Sequence, residues 1–305
     1  MTTIPGLHHV TAICGAPQAN VDFYTGVLRQ RLVKKTVNFD APDTYHLYYG
    51  DEAGSPGTIL TFFPFVNAGP GRAGPGMASA YAYAVPSLDP WIGRLADQAT
   101  DFDGPEERFG SRVLTLRDPD GAPVELAETD AAAGEIDGFH SVTLWLRDPL
   151  PTARILTDVF GYADGGSERA HGFERQRLVA PGGARGSIVD LVRSEATPPR
   201  GIPGAGTIHH VAFRARTNEE QRGWQEALAR AGHPTTPVID RQYFNAIYVR
   251  EPGGVLFEIA TDPPGFAVDE PRDTMGQALM LPPQHERLRP QLERILPPLR
   301  VKVPA

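Results

Sequence analysis

Two pairs of adjacent histidines are the first residues in this chain whose types and spacing suggest chemistry. His8 and His9 lie in GLHHVTAI, His209 and His210 in TIHHVAFR, about 200 residues apart, and each pair opens an apolar run. A neutral imidazole can ligate a metal or move a proton near pH 7. A single histidine on an apolar strand is more often a packed core residue. The repetition of the whole phrase is what raises these above that expectation. Successive strand residues point to opposite faces, so one member of each pair is expected to face a shared site and the other to turn away.

The elements that must position them form a fourfold repeat of about 65 to 70 residues. Each unit opens with an apolar strand: GLHHVTAI at 6, ASAYAYAV at 78, GFHSVTLW at 138 and TIHHVAFR at 207. A helix signal follows each. Pro17 precedes Val21, Tyr24 and Leu28; Ser87 precedes Leu88, Trp91 and Leu95; Asp148 precedes Ile155 and Val159; Thr217 and Glu220 form a capping box ahead of Trp224, with Gly232 as the stop. Each unit closes on a glycine turn and an apolar strand, in SPGTILTFF, DPDGAPVELAE, GGARGSIVDLV and EPGGVLFEIA.

The unit is therefore β-α-β-β-β, and the fold class expected is α+β: four such modules with a C-terminal tail. The segments expected are an N-terminal pair of modules in 1–130 (5–66 and 77–128), a C-terminal pair in 131–265 (137–194 and 206–261) and a tail over 266–305. NAGPGRAGPG and EATPPRGIPGAG read as Pro/Gly linkers. In the tail, HERLRPQLERIL reads as a helical stretch broken by Pro290.

Composition narrows the function. A net charge of -8 with scattered Lys and Arg provides no footprint for a phosphate backbone, so no nucleic-acid partner is expected. No apolar run reaches the roughly 20 residues that span a bilayer, so no membrane partner is expected. One cysteine, Cys14, excludes an intramolecular disulfide and reads as a small buried hydrophobe; with no basic-then-apolar leader at the start, a cytoplasmic location is expected. A homo-oligomer is compatible with all of this.

Four β-α-β-β-β modules over residues 5 to 261 resemble the vicinal oxygen chelate superfamily. The resemblance implies that the four modules form two paired, curled mixed-sheet barrels and that modules pair around a metal, with ligands on the first and last strand of each. Aligning the opening strands on the valine after the pair puts His9, Ser141 and His210 in one slot, and His8, His140 and His209 in its neighbour. Counting four past the turn glycine puts Thr61, Glu125, Asp190 and Glu258 in the closing slot. If modules three and four pair, only one histidine reaches the site; modules two and three supply Glu125, Asp190, Ser141 and an alanine. Modules one and four supply His9, His210, Glu258 and Thr61, a two-histidine, one-carboxylate triad that suits non-haem Fe(II) with open positions. Modules one and four are therefore expected to share the metal site.

A closer resemblance is to the ring-cleaving dioxygenases of that superfamily that open hydroquinones. It is carried by LHHVT at 7, YHLYYGDEAGSPGTILTFFPF at 45, RFGSR at 108, GFHSVT at 138, IHHVAF at 208 and DRQYFNAIYVREPGGVLFE at 240. The resemblance implies Fe(II) on His9, His210 and Glu258, with His8, His209, Arg241 and Tyr248 around a small aromatic diol that reacts with O2. A nearby neutral histidine or Tyr248 can take a phenolic proton, and Arg241 favours the phenolate. The alternatives are a catechol extradiol dioxygenase, a glyoxalase-like metal-dependent lyase or isomerase, and a non-enzymatic binding or resistance protein. His46 reads as packed, His140 as structural, and His171, His233 and His285 as carrying no signal. Glu125 and Asp190 read as solvated or capped carboxylates, the other reading being remnants of a second site.

Overall fold

The computed structural model describes residues 3–130 and 132–301. The first unit comprises β1 (Leu7–Cys14), α1 (Pro17–Asp22) running into a π-helical turn, β2 (Arg31–Val37), β3 (Tyr45–Gly50) and β4 (Ile59–Pro64). The second comprises β5 (Met77–Val85), α2 (Asp89–Asp97), β6 (Phe102–Arg108), β7 (Ser111–Arg117) and β8 (Pro123–Glu128). The third has β9 (Phe139–Trp145), α3 (Leu150–Arg154), again continued by a π-helical turn, β10 (Ala163–Ala170), β11 (Phe173–Val179) and β12 (Ile188–Ser194). The fourth has β13 (Thr207–Ala215), α4 (Asn218–Arg230), the short β14 (Ile239–Asp240), β15 (Phe244–Arg250) and β16 (Leu256–Pro264). A last helix, α5 (Arg289–Ile295), lies in the tail.

Local chemistry explains these elements. Thr217 caps α4, its Oγ1 accepting from the Glu220 amide at 3.2 Å, while Glu220 returns a carboxylate oxygen to the Arg216 amide at 2.7 Å. The four closing turns put Gly57, Gly121, Gly186 and Gly254 at φ values of 84, 83, 66 and 102°, which side-chain-bearing residues rarely adopt. At Gly57 a Cβ would also lie 2.7 Å from the Cβ of Arg185. Pro290 does not break the tail helix: it sits in the first turn of α5, where its missing N–H costs nothing.

The strands form two eight-stranded mixed sheets, ordered β14-β15-β16-β13-β1-β4-β3-β2 and β10-β11-β12-β9-β5-β8-β7-β6. The first sheet joins the first and fourth units through an antiparallel β1–β13 pair at its centre; the second joins the middle two through β5–β9. Each half of the chain therefore contributes to both sheets. The chain crosses between sheets at 67–76 and again at 195–206, and these Pro/Gly segments run side by side, with Gly71 donating to Ala205 at 2.7 Å and Arg72 to Ile202 at 2.8 Å. They are ordered against one another rather than loose. A continuous apolar core contains residues of both sheets and of the helices, Val10, Val21, Leu88, Val142, Phe213 and Leu228 among them.

The tail covers β2, the edge of the first sheet, so that the edge strand does not present a free ladder. Met280 donates to the Lys35 carbonyl at 2.9 Å. Lys34, fully buried, places its Nζ 2.6 Å from Asp269 and 2.5 Å from Glu270. No helix among the described residues is long and apolar enough to cross a membrane.

Candidate metal centre

His9 and His210 stand on the two central strands of the first sheet. The antiparallel register pairs His9 with Ala212, Val10 with Val211 and Thr11 with His210, so the two histidines are related by a local two-fold axis. The same symmetry relates the flanking strands: β4 sets Thr61 beside Thr11 and Tyr48, and β16 sets Glu258 beside Ala212 and Tyr248. Ligand-type atoms of His9, His210 and Glu258 all lie within 4.8 Å of one another, and all three residues are buried. The Nε2 atoms of the histidines are 3.3 Å apart. They approach Glu258 Oε2 to 3.4 and 2.9 Å.

The donor set fits a cation. Glu258 is buried, yet neither of its carboxylate oxygens has a hydrogen-bond partner of good geometry among the described residues. A buried carboxylate without donors is costly unless a positive charge meets it. Burial pushes its pKa up, but His9 and His210 outweigh that and hold it below the usual carboxylate range. His210 is held below its ordinary value by burial, against the pull of Glu258. Two imidazoles and one carboxylate on a single face, with Thr61 in the fourth corner, could hold a divalent transition metal and leave positions free.

The expected opposition of neighbouring histidines does not hold. Strand β1 slips register between Leu7 and His9, and β13 slips at His209, opposite Thr11 and Ala12. These are β-bulges, which re-aim side chains, and they bring each pair into contact. His8 Nδ1 is 2.9 Å from His9 Nδ1, and His209 Nδ1 is 2.8 Å from His210 Nδ1. One ring nitrogen of each pair therefore donates to the other, so each inner histidine is oriented by its neighbour. His9 Nε2, on the far side of the ring from that contact, faces Glu258 and His210. Orientation of a metal-binding histidine through its second nitrogen is a general requirement. Burial first, and then His9, push His8 down to about 3.

Beside the triad lies a cavity of about 480 Å³. His209, Arg241 and Tyr248 line it, whereas His8 stands behind His9 and off its wall. Arg241 Nε donates to the Tyr248 hydroxyl at 3.2 Å, and the Tyr248 ring lies 6.0 Å from that of His210. Tyr248 is pushed above the ordinary tyrosine range by burial and by Glu258. Phe39, Phe63, Phe65 and Phe244 supply apolar wall.

His46 is a wall residue that the sequence reading missed. Its Nε2 is 2.8 Å from Thr61 Oγ1 and its Nδ1 2.8 Å from the Tyr48 hydroxyl. Thr61 in turn meets Thr11 at 2.9 Å. This network ties the fourth corner of the site to β3 and holds Thr61 away from ligand duty. Every residue of YHLYYG is buried, so its polar side chains find partners inside, which the sequence alone does not reveal. His285, read as carrying no signal, donates from Nε2 to the Phe39 carbonyl, 2.9 Å away, fixing a cavity loop.

In the second sheet the equivalent positions are Ala80, Ser141, Glu125 and Asp190. Glu125 and Asp190 are neither solvated nor caps. Both are buried, Glu125 against Arg108 Nη1 at 2.8 Å and Asp190 in a fork from Arg177 at 2.8 and 2.9 Å. His140 is half-buried and bonds Ser141 Oγ at 3.1 Å.

Paired sheets and a His-His-Glu cluster at the mouth of one define a class, and comparison with known proteins agrees. Residues 6–126 and 138–259 match the Glyoxalase/Bleomycin resistance protein/Dioxygenase superfamily, and the chain belongs to it. It is 46% identical to the Bacillus subtilis protein named "Putative ring-cleaving dioxygenase MhqO", over 97% of each chain. It is 33% identical to the chlorohydroquinone/hydroquinone 1,2-dioxygenase of Sphingobium indicum, over 96% of each. A crystal structure of a dioxygenase-named Bacillus subtilis protein superposes with a TM-score of 0.91 at 44% identity, covering 99% of both chains. Glyoxalase I from Zea mays shares the fold at a TM-score of 0.64 and 12% identity, over 84% of this chain and 92% of that one.

Proposed function

We propose that this chain is a ring-cleaving dioxygenase that opens a hydroquinone-like phenol with O2, using Fe(II) held by His9, His210 and Glu258. The observation that carries the reading is the meeting of two imidazole nitrogens with a buried, undonated carboxylate at the edge of an aromatic-lined cavity. Iron, when bound, supplies electronic coupling between a phenol and O2, which react poorly alone.

The remaining work falls to the chain. Tyr248 keeps its proton at neutral pH and, braced by Arg241, can donate to a phenolate oxygen. The Arg241 charge favours the ionised phenol. His209, at the cavity edge with its Nδ1 engaged by His210, retains a second nitrogen through which a proton can pass to water. His8 orients the His9 ring through their Nδ1–Nδ1 contact rather than touching substrate. The phenylalanine wall excludes water and accommodates a ring. Thr61, engaged by His46 and Thr11, leaves the fourth corner without the carboxylate or amide that a glyoxalase-like lyase would place there.

The test is anaerobic loading of the protein with Fe(II), followed by oxygen-electrode measurement with hydroquinone and with catechol. Uptake is expected with hydroquinone in preference to catechol. Absence of uptake with both would overturn the proposal.

A further inference from the structure

The second sheet retains the cup of the first, with different chemistry in it. One ladder line across its concave face reads Ala80, Thr143, Asp190 and Arg177; the next line on the same face reads Trp145, Val192 and Arg175. Of these, Ala80, Thr143, Trp145, Val192 and Arg175 border a cavity of about 530 Å³, no smaller than the 480 Å³ beside the His-His-Glu cluster. Interiors pack closely, so a cup of this size left open in the middle units is unlike a sheet face that serves only as core.

Its charges are unevenly matched. Arg177 forks onto Asp190 and lies 4.0 Å over the Phe109 ring; Arg108 holds Glu125. Arg175 is the most loosely held of the three. Its Nη1 makes two long contacts, 3.2 Å to Thr143 Oγ1 and 3.3 Å to Asp190 Oδ2, an oxygen that Arg177 already occupies. Glu168 is 3.8 Å from its Nε. Burial and the nearby Arg108 charge hold Arg175 below the ordinary arginine range, against the pull of Asp190, Glu125 and Glu168. The acids that also border the cup are committed elsewhere, Glu125 to Arg108 and Asp120 to the Gly15 amide at 3.0 Å. Arg72 and Arg117 stand on the same lining. Trp145 and Phe173 meet edge to face at 5.4 Å on the wall, and the buried Trp145 Nε1 has no partner among the described residues.

We propose that this second cup binds a small carboxylate with a flat apolar body, the carboxylate on the Arg175 guanidinium and the body against Trp145 and Phe173. A guanidinium fork matches a carboxylate in plane and charge, and aromatic edges accept a flat ring. The site shares no residue with the His-His-Glu cluster and does not depend on the activity proposed above.

The test uses the full chain and benzoate as probe, with binding read by calorimetry and by ligand-observed NMR. Wild-type protein and the His210→Ala variant are expected to bind benzoate equally. Arg175→Met, which keeps the methylene packing, should weaken it at least about tenfold, or ~1.4 kcal/mol. Val192→Phe, which fills the cup from the neighbouring strand, should weaken it too and guards against misfolding of the first variant. The neutral isostere benzamide should bind more weakly than benzoate. Undetectable benzoate binding, binding untouched in both cup variants, or binding lost in His210→Ala would each overturn the proposal.

Discussion

Substituting His210 by alanine should separate metal binding from folding, and the size of the effect can be worked out. In the wild-type chain three ligand atoms converge within 4.8 Å, and an ion that binds only the folded state stabilises it by ~2.7 kcal/mol at a hundred times its dissociation constant. Unfolding entropy of roughly 2.1 cal/mol/K per residue over 305 residues amounts to about 0.6 kcal/mol/K. The expected rise in Tm on adding Fe(II) or Mn(II) anaerobically is therefore about 4 °C. His210→Ala leaves one imidazole and one carboxylate, and the rise should largely vanish even if its metal-free Tm is lower. Glu125→Gln, altered at the equivalent position of the second sheet, should keep the full rise. Differential scanning calorimetry with and without metal measures all three. A rise in His210→Ala equal to wild type, or one lost in Glu125→Gln instead, would refute the assignment of the cation to the first sheet.

Three further outcomes are expected. Burial raises Asp118 to about 6 from 3.8, so its folded form holds a proton that the unfolded form has released; its contribution, about 3 kcal/mol from two pKa units, is full below pH ~4 and lost as pH rises through about 6. Asp118→Asn should therefore flatten the stability profile in that window, as measured by urea unfolding across pH. Arg177→Met strips the fork from the fully buried Asp190 and should cost about 3–5 kcal/mol, much of it recovered in a double variant with Asp190→Leu; equal stability of single and wild type would contradict a closed pair. Lys34→Met leaves Asp269 and Glu270 without their cation, and faster proteolysis within 265–301 is the expected readout.

Much of the site was legible because the chain repeats itself. The glycine that ends each closing turn needs positive φ at all four positions, so the turns served as a ruler, and counting from them selected Thr61 and Glu258 as equivalents. Those two residues do occupy symmetry-related places beside Tyr48 and Tyr248. The helix starts were readable for a similar reason, since capping at Thr217 is settled by groups within four residues.

What local pattern could not reveal depended on partners distant in sequence. Alternation along a strand predicts that His8 and His9 diverge; the bulges that join them exist only where β1 meets β13. His46 looked like core because it alternates with apolar neighbours in YHLYYG, and its role follows from Thr61 and Tyr48 arriving at its two nitrogens. Glu125 and Asp190 carry no mark in sequence that arginines will close on them. Residue types, their period and their turns were thus determined by the sequence itself. Tertiary structure alone decided which neighbours each polar group meets, because burial leaves such groups no water, and the partner that replaces it is brought by a different strand.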